Sequence, residues 1–184
     1  MTSSFRKNDV AQEDISLVQA TPDLRDAFLD MAQEFRASAT DQRAHAILAI
    51  EDFDAYVRRC TDDSQGVGLG PGIVPSTALW LVRGGSRVLA YSNLRHRLTP
   101  ELQAFGGHIG YTVRPSERRK GYGTLLLALT LPRARALGLR RVLLTCDDDN
   151  AGSARIIEKN GGVLQDMGTN PASGKPTRRY WIEL

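Results

Sequence analysis

Cysteine is scarce in this 184-residue sequence, and the two present, Cys60 and Cys146, stand far apart and outside any C-x-x-C pair. One disulfide between them stays open on counting, but neither a disulfide framework nor a zinc site is written here. Long apolar runs are also missing, since no window approaches the ~18 residues that read as a membrane span. The opening stretch MTSSFRKNDVAQED lacks the apolar core of a secretory signal. Two nucleotide signatures are absent: there is no G-x-x-x-x-G-K-[ST], and GYGTLL is not G-x-G-x-x-G. Charge imbalance is slight, at a formal +3, and an RNA or DNA surface would need more basic and aromatic residues gathered together. These absences lead to the expectation of a reduced, cytoplasmic protein with no metal, no membrane and no nucleic acid among its partners.

What is present suits a globular domain. With 41% apolar and 24% charged residues, the chain is expected to close a single domain over 1–184, with 1–14 a flexible N-terminus. ISLVQA (15–20) alternates as a strand. Leu24, Phe28, Met31 and Phe35 predict a helix over 22–35 capped by Thr21 or Asp23, and Ile50, Phe53, Tyr56 and Val57 predict another over 50–60. TDDSQGVGLGPGIVPS (61–76) reads as a long, mobile surface loop. A hairpin over 77–98 turns at Gly84-Gly85, a helical turn follows at 99–106, and a strand spans 107–113. A helix from Gly123 is expected to kink at Pro132 and stop at Gly138. A strand (140–146), a helix (151–159) and a final hairpin (162–167 with 177–184) complete the chain. The order β-α-α-β-β-β-α-β-α-β-β predicts an α/β (α+β) fold. Its one central sheet is mixed and mostly antiparallel, flanked by helices, with a parallel part where helices cross over.

RPSERRKGYGTLLLALTLP (114–132) joins a basic cluster to a glycine pair and then to an apolar helix. A helix N-terminus exposes unpaired N–H groups and carries about half a positive charge. Gly121 and Gly123 let an oxygen approach that backbone, and Arg114, Arg118, Arg119 and Lys120 add attraction against one acid, Glu117. The stretch reads as a phosphate cradle, or as nothing more than a tight turn.

VRPSERRKGYGT resembles the R/Q-x-x-G-x-G/A motif of the GNAT acyltransferase superfamily, with Arg118, Gly121 and Gly123 at its fixed places. Val113 and Pro115 match the Val-x-Pro that precedes it. NAGSARIIEKNGG resembles the family's second motif through Asn150, Ser153, Glu158, Lys159 and Gly161. Within the superfamily the chain resembles a branch of acetyltransferases of unassigned acceptor. The resemblance implies the GNAT fold and acetyl-CoA as donor without a metal. It further implies transfer to a primary amine of a small molecule or protein, and a possible homodimer. It places the pyrophosphate on the amides of Arg119, Lys120, Gly121, Tyr122, Gly123 and Thr124, beside Arg118. The end of the fourth strand, Tyr111, Thr112 and Val113, would splay from the fifth and pair with pantetheine, with Asn150 and Ser153 near the thiol and the Val113 N–H donating to the acyl carbonyl. The family's usual tyrosine acid falls here on Ile157. That departure keeps open a non-catalytic, acyl-CoA-binding regulatory module.

Several side chains admit two readings. His108 could act as general base or be a buried, hydrogen-bonded histidine. Tyr111 could donate a proton or pack in the core. Cys146 could be a nucleophile or a buried structural thiol. Asp147, Asp148 and Asp149 could attract a cationic amine or form a solvated turn with Asp149 or Asn150 as cap. Arg95, His96 and Arg97 could bind an acidic acceptor group or guard an edge strand. Tyr180 and Trp181 could line an acceptor pocket, meet a second copy or pack internally.

Overall fold

The structure is a computed structural model, and it describes residues 14–38, 44–170 and 173–184; the flexible N-terminus expected over 1–14 lies, except for Asp14, outside the described residues. Its elements are β1 (Ile15–Gln19), α1 (Arg25–Ala37), α2 (Ala44–Glu51), α3 (Phe53–Gln65), β2 (Ser76–Arg83), β3 (Arg87–Arg95), α4 (Pro100–Ala104) and β4 (Ile109–Val113). Then come α5 (Tyr122–Ala136), β5 (Arg141–Asp147), α6 (Ala151–Lys159), β6 (Val163–Thr169) and β7 (Pro176–Glu183).

Two boundaries differ from the sequence expectation, for local reasons. The helix expected over 50–60 begins at Phe53 as α3, and a separate helix, α2, which the sequence reading did not expect, precedes it over Ala44–Glu51, the two divided at Asp52. Asp52 has an extended backbone, and its Oδ1 accepts the Ala55 N–H at 2.9 Å, capping α3. At its other end α3 runs on to Gln65 and stops at Gly66, which is left-handed with φ 73°. Thr61 Oγ1 donating to Val57 O and the Arg59–Asp63 pair support that added turn. The loop expected over 61–76 is accordingly reduced to 66–75. α5 stays helical through Pro132 to Ala136.

Every strand ladder is antiparallel, and the ladders form two sheets, β1-β2-β3-β4 and β5-β7-β6. The one continuous sheet with a parallel part is therefore divided between β4 and β5. The two strands meet only at their start. The His108 N–H donates to Leu143 O at 2.7 Å, and the Leu143 N–H donates to His108 Nδ1 at 2.9 Å. Gly107 makes this approach possible: its φ is +63°, and a Cβ there would sit 2.9 Å from the Leu143 carbonyl carbon. No ladder follows toward Val113 and Cys146, so a gap opens there.

The two faces of this split platform carry separate cores. α1 to α3 cover one face, where Phe28 stacks on Trp80 with ring centroids 4.3 Å apart and Phe35, Phe53 and Tyr91 close around them. α5 and α6 cover the other, burying Leu127, Leu144, Ile157 and Tyr180. Each fully buried large apolar side chain contributes about 1.5–3 kcal/mol, enough to hold the two half-sheets in fixed relation despite the missing ladder.

Candidate active site

The segment after β4 is shaped before any ligand arrives. A single 3-10 turn (Pro115–Glu117) leads to Arg119, which is left-handed at φ 63°, and then to Gly121 at φ 90°. A left-handed non-glycine residue costs about 1–2 kcal/mol, so surrounding contacts must enforce it. Glu117 does so. Its buried carboxylate accepts from Arg87 Nε at 2.9 Å and Lys120 Nζ at 2.8 Å, with Arg83 at 3.5 Å. Lys120 above all, and then Arg87, hold it below the usual carboxylate range against the effect of burial. Arg114, also buried, ties the same segment to α1 through Glu34 at 2.6 Å and Asp30 at 2.5 Å, and Glu34 accepts the Ser116 N–H at 3.0 Å.

α5 then starts at Tyr122 with Gly121 as its N-cap and no capping side chain. Successive N–H groups in such a left-handed turn and first helical turn form a concave donor surface for an anion. A cleft of about 520 Å³ opens in front of it, between the end of β4, this turn and α6. Tyr111, Thr112, Val113, Arg118, Arg119, Gly121, Tyr122, Gly123, Thr124, Asn150 and Ser153 all line it. Lys120 does not, because its ammonium is turned to Glu117. Gly152, Arg155, Ile156 and Lys159 line it as well and were not anticipated. Their helical spacing, which puts them on one face of α6, was the available signal.

The wall of the cleft is a strand edge. The Arg114 N–H bonds to Leu89 O of β3, so the two-residue alternation points the N–H and C=O of Val113 and Tyr111 away from β3, toward the gap. Val113 O accepts there from Arg118 Nε at 3.2 Å. Deeper in, the Tyr111 hydroxyl lies 2.8 Å from Ser153 Oγ and donates to Ser153 O at 3.3 Å. Burial pushes the Tyr111 phenol up to about 12 against the effect of the Ser153 hydrogen bond. Cys146 is beside this pair, and burial raises its thiol too. Asn150 caps α6, its Oδ1 accepting the Ser153 N–H at 3.0 Å, which fixes the serine in the gap.

Other candidates stand elsewhere. His108 is buried at the β4–β5 junction, outside the cleft. Its Nδ1 is occupied by Leu143, which assigns the proton to Nε2, and burial with Arg95 nearby pushes it down to about 4. Arg95 donates to the carbonyls of Gly106 and Gly107, and His96 Nε2 is 2.8 Å from Thr77 Oγ1. Asp148 pairs with Arg178 and Asp149 with Lys175, so two of the three acids in that turn are already neutralised. Tyr180 is core, its hydroxyl donating to Glu158, while Trp181 stacks under Arg141 and donates to Gln165. Ile157 is fully buried.

Comparison with known proteins bears on the family and the fold. A sequence-family model described as an acetyltransferase (GNAT) domain matches residues 15–163. No curated protein sequence matches the chain. Among solved structures, the RimL ribosomal L7/L12 alpha-N-protein acetyltransferase in complex with coenzyme A has a TM-score of 0.68 at 16% identity, over 92% of this chain and 94% of that one. The microcin C7 self-immunity acetyltransferase MccE, in complex with acetyl-CoA and AMP, gives 0.67 at 13%, over 92% of each chain. The YncA protein of Salmonella typhimurium, with its cofactor acetyl-CoA, gives 0.60 at 16%, over 92% and 94%. At these identities the shared property is the fold.

Proposed function

The chain belongs to the GNAT acetyltransferase family, and from that premise we propose that it transfers the acetyl group of acetyl-CoA directly to a primary amine. The observation that carries this reading is the gap between β4 and β5, which opens onto the uncapped N-terminus of α5. Acetyl-CoA supplies the acetyl group as a thioester. The pyrophosphate fits the amides from Arg119 to Thr124, with Arg118 alongside. The outward-facing groups of Tyr111 and Val113 suit the amide-bearing pantetheine arm, which adds to β4 as a strand would.

Each catalytic need then has a candidate. The Val113 N–H faces the gap and polarises the acyl carbonyl as charge develops on its oxygen. As the carbon–nitrogen bond forms and the carbon–sulfur bond breaks, the departing sulfur needs a proton. Tyr111 stays protonated at neutral pH and shares its hydroxyl with Ser153, so this pair is assigned the proton that the family's tyrosine would bring at Ile157. His108 receives no part, since its Nδ1 is occupied and its basicity suppressed. The amine arrives neutral or gives its proton to solvent.

The regulatory-module alternative rests mainly on Ile157, and the Tyr111–Ser153 pair weakens it. Two measurements test the proposal. Acetyl-CoA and CoA should raise the melting temperature where a polynucleotide does not, and Gly121→Leu, at φ 90° in the cleft wall, should abolish that shift. Thiol release with an amine panel then separates enzyme from module; binding without turnover on any amine would favour the module.

A further inference from the structure

The four-stranded half carries a second cavity of about 130 Å³, between α3 and the sheet. Tyr56, Cys60 and Asp63 of α3 form one side, and Ala78, Tyr91 and Asn93 of β2 and β3 form the floor. The sheet register relates this cavity to the gap. Ala78 is opposite Asn93, and Asn93 is opposite Gly110, so the three form one row across β2, β3 and β4. Residues directly across a ladder share a face, and Gly110 is the last of the row before the gap. A Cβ at Gly110 would meet nothing within 4 Å, and its φ is not left-handed. The backbone therefore does not require glycine there. What it provides is a row that carries no side chain at the strand bordering the gap, next to the Asn93 amide.

Resting on the acetyl-transfer reading above, we infer that this cavity receives the side group of the acceptor, and that the acceptor is a compact amine with one uncharged side group, which reaches the gap across Gly110. Size supports this, because a cavity of about 130 Å³ is close to the ~150 Å³ that accommodates a benzene ring. A leucine or phenylalanine side group is of that order. Charge supports it too. Among the described residues the one carboxylate lining the cavity, Asp63, is already paired with Arg59 at 3.0 Å. Burial keeps the Tyr56 phenol neutral and pushes the Cys60 thiol up to about 11, so neither adds negative charge at neutral pH. A polyamine or aminoglycoside would bring several cations to a cavity without counter-charge. The Asn93 amide, which has no side-chain partner among the described residues, can bond a hydroxyl or a peptide group of a single-amine acceptor.

The test is steady-state thiol release with glycinamide, leucinamide, phenylalaninamide, spermidine and an aminoglycoside, alongside calorimetric acetyl-CoA binding. Leucinamide or phenylalaninamide should exceed spermidine in kcat/KM by about tenfold or more, the scale of a filled apolar pocket. Ala78→Leu, which fills the cavity, and Gly110→Val, which raises a barrier on the floor, should each raise the KM of the best amide by about tenfold while acetyl-CoA affinity is kept. Unchanged KM in both variants, or spermidine as the best acceptor, would overturn the inference and leave the donor reading standing. Wild-type protein that fails to bind acetyl-CoA would overturn both.

Discussion

Replacing Glu117 by glutamine tests whether the donor cradle is held in place before acetyl-CoA arrives. The substitution keeps the shape of the side chain and removes its charge. The carboxylate now receives two close charge-assisted bonds, from Arg87 at 2.9 Å and Lys120 at 2.8 Å. Buried bonds of this kind are worth ~1.5–3 kcal/mol each. Here Arg87 is 36% and Lys120 53% exposed, so solvent screening reduces each to ~1 kcal/mol. Their loss predicts about 2 kcal/mol of destabilisation, or a melting temperature lower by roughly 4–8 °C for a domain of this size. The binding effect is separate. With the clamp loosened, Arg119 leaves its left-handed conformation in the free protein, and acetyl-CoA must restore ~1–2 kcal/mol of strain on binding. Affinity should fall by a factor of about 5–30. Differential scanning fluorimetry reads the first quantity and calorimetric titration of acetyl-CoA the second. A variant that melts with the wild type and binds acetyl-CoA as tightly would refute the clamp.

Three further outcomes follow from the same geometry. Gly107→Ala forces a left-handed alanine, at ~1–2 kcal/mol, against the Leu143 carbonyl, at ~1–3 kcal/mol of overpacking; about 3 kcal/mol should be lost in urea unfolding, and an unchanged midpoint would contradict the close junction. Tyr111→Phe should lower kcat by ~10²-fold or more while acetyl-CoA affinity is retained; undiminished turnover would remove the phenol from the proton path. His108 is depressed to about 4 in the folded protein against an unfolded value of 6.5, so between those values the unfolded chain binds more protons. Its contribution is complete above the unfolded value and is lost as pH falls through the folded one, by about 3 kcal/mol in all. The unfolding free energy of His108→Gln should therefore show a flatter pH dependence over that window, whereas an unchanged slope would place the titration elsewhere.

Helices α1, α5 and α6, the hairpin and both glycine-bearing motifs were legible because each is written in local spacing, whereas α2 was not. Leu24 to Phe35 repeats at helical intervals, Gly84-Gly85 sits between two alternating runs, and Gly121 precedes an apolar helix. The split of the sheet is not written in local spacing; the family resemblance alone implied it, as the end of β4 splaying from β5. It depends on Gly107 meeting Leu143, two residues distant in sequence whose approach no local pattern encodes. The break at Asp52 was readable in principle, since an aspartate before a helical run is a cap; the apolar spacing across it concealed the boundary. For the acceptor side, the row from Ala78 to Gly110 exists only once register is known.

The largest revision concerns the basic cluster. In sequence, Arg114, Arg118, Arg119 and Lys120 stand together as four cations before an anion site. Folded, Arg114 is bound by Glu34 and Asp30, and Lys120 by Glu117. Arg118 turns its Nε to the Val113 carbonyl while lining the cleft. Half of the apparent charge thus builds the turn and does not face the ligand. The partners are deliberate in a physical sense: α1 grips the turn through Arg114, and β2 and β3 grip it through Glu117. Both strain at Arg119 and the uncapped start of α5 can persist only under such restraint. A donor site made this way recognises phosphate mainly through oriented N–H groups. Those groups are fixed in place and keep their direction in salt, whereas exposed side-chain charges separated by more than ~10 Å from the ligand are screened at 0.1 M. The cations left to the cleft, Arg118 and Arg119 on the turn and Arg155 and Lys159 on α6, come from its two sides. They are therefore suited to flank a multiply charged ligand, while the glycine-bearing turn between them sets where its phosphates rest.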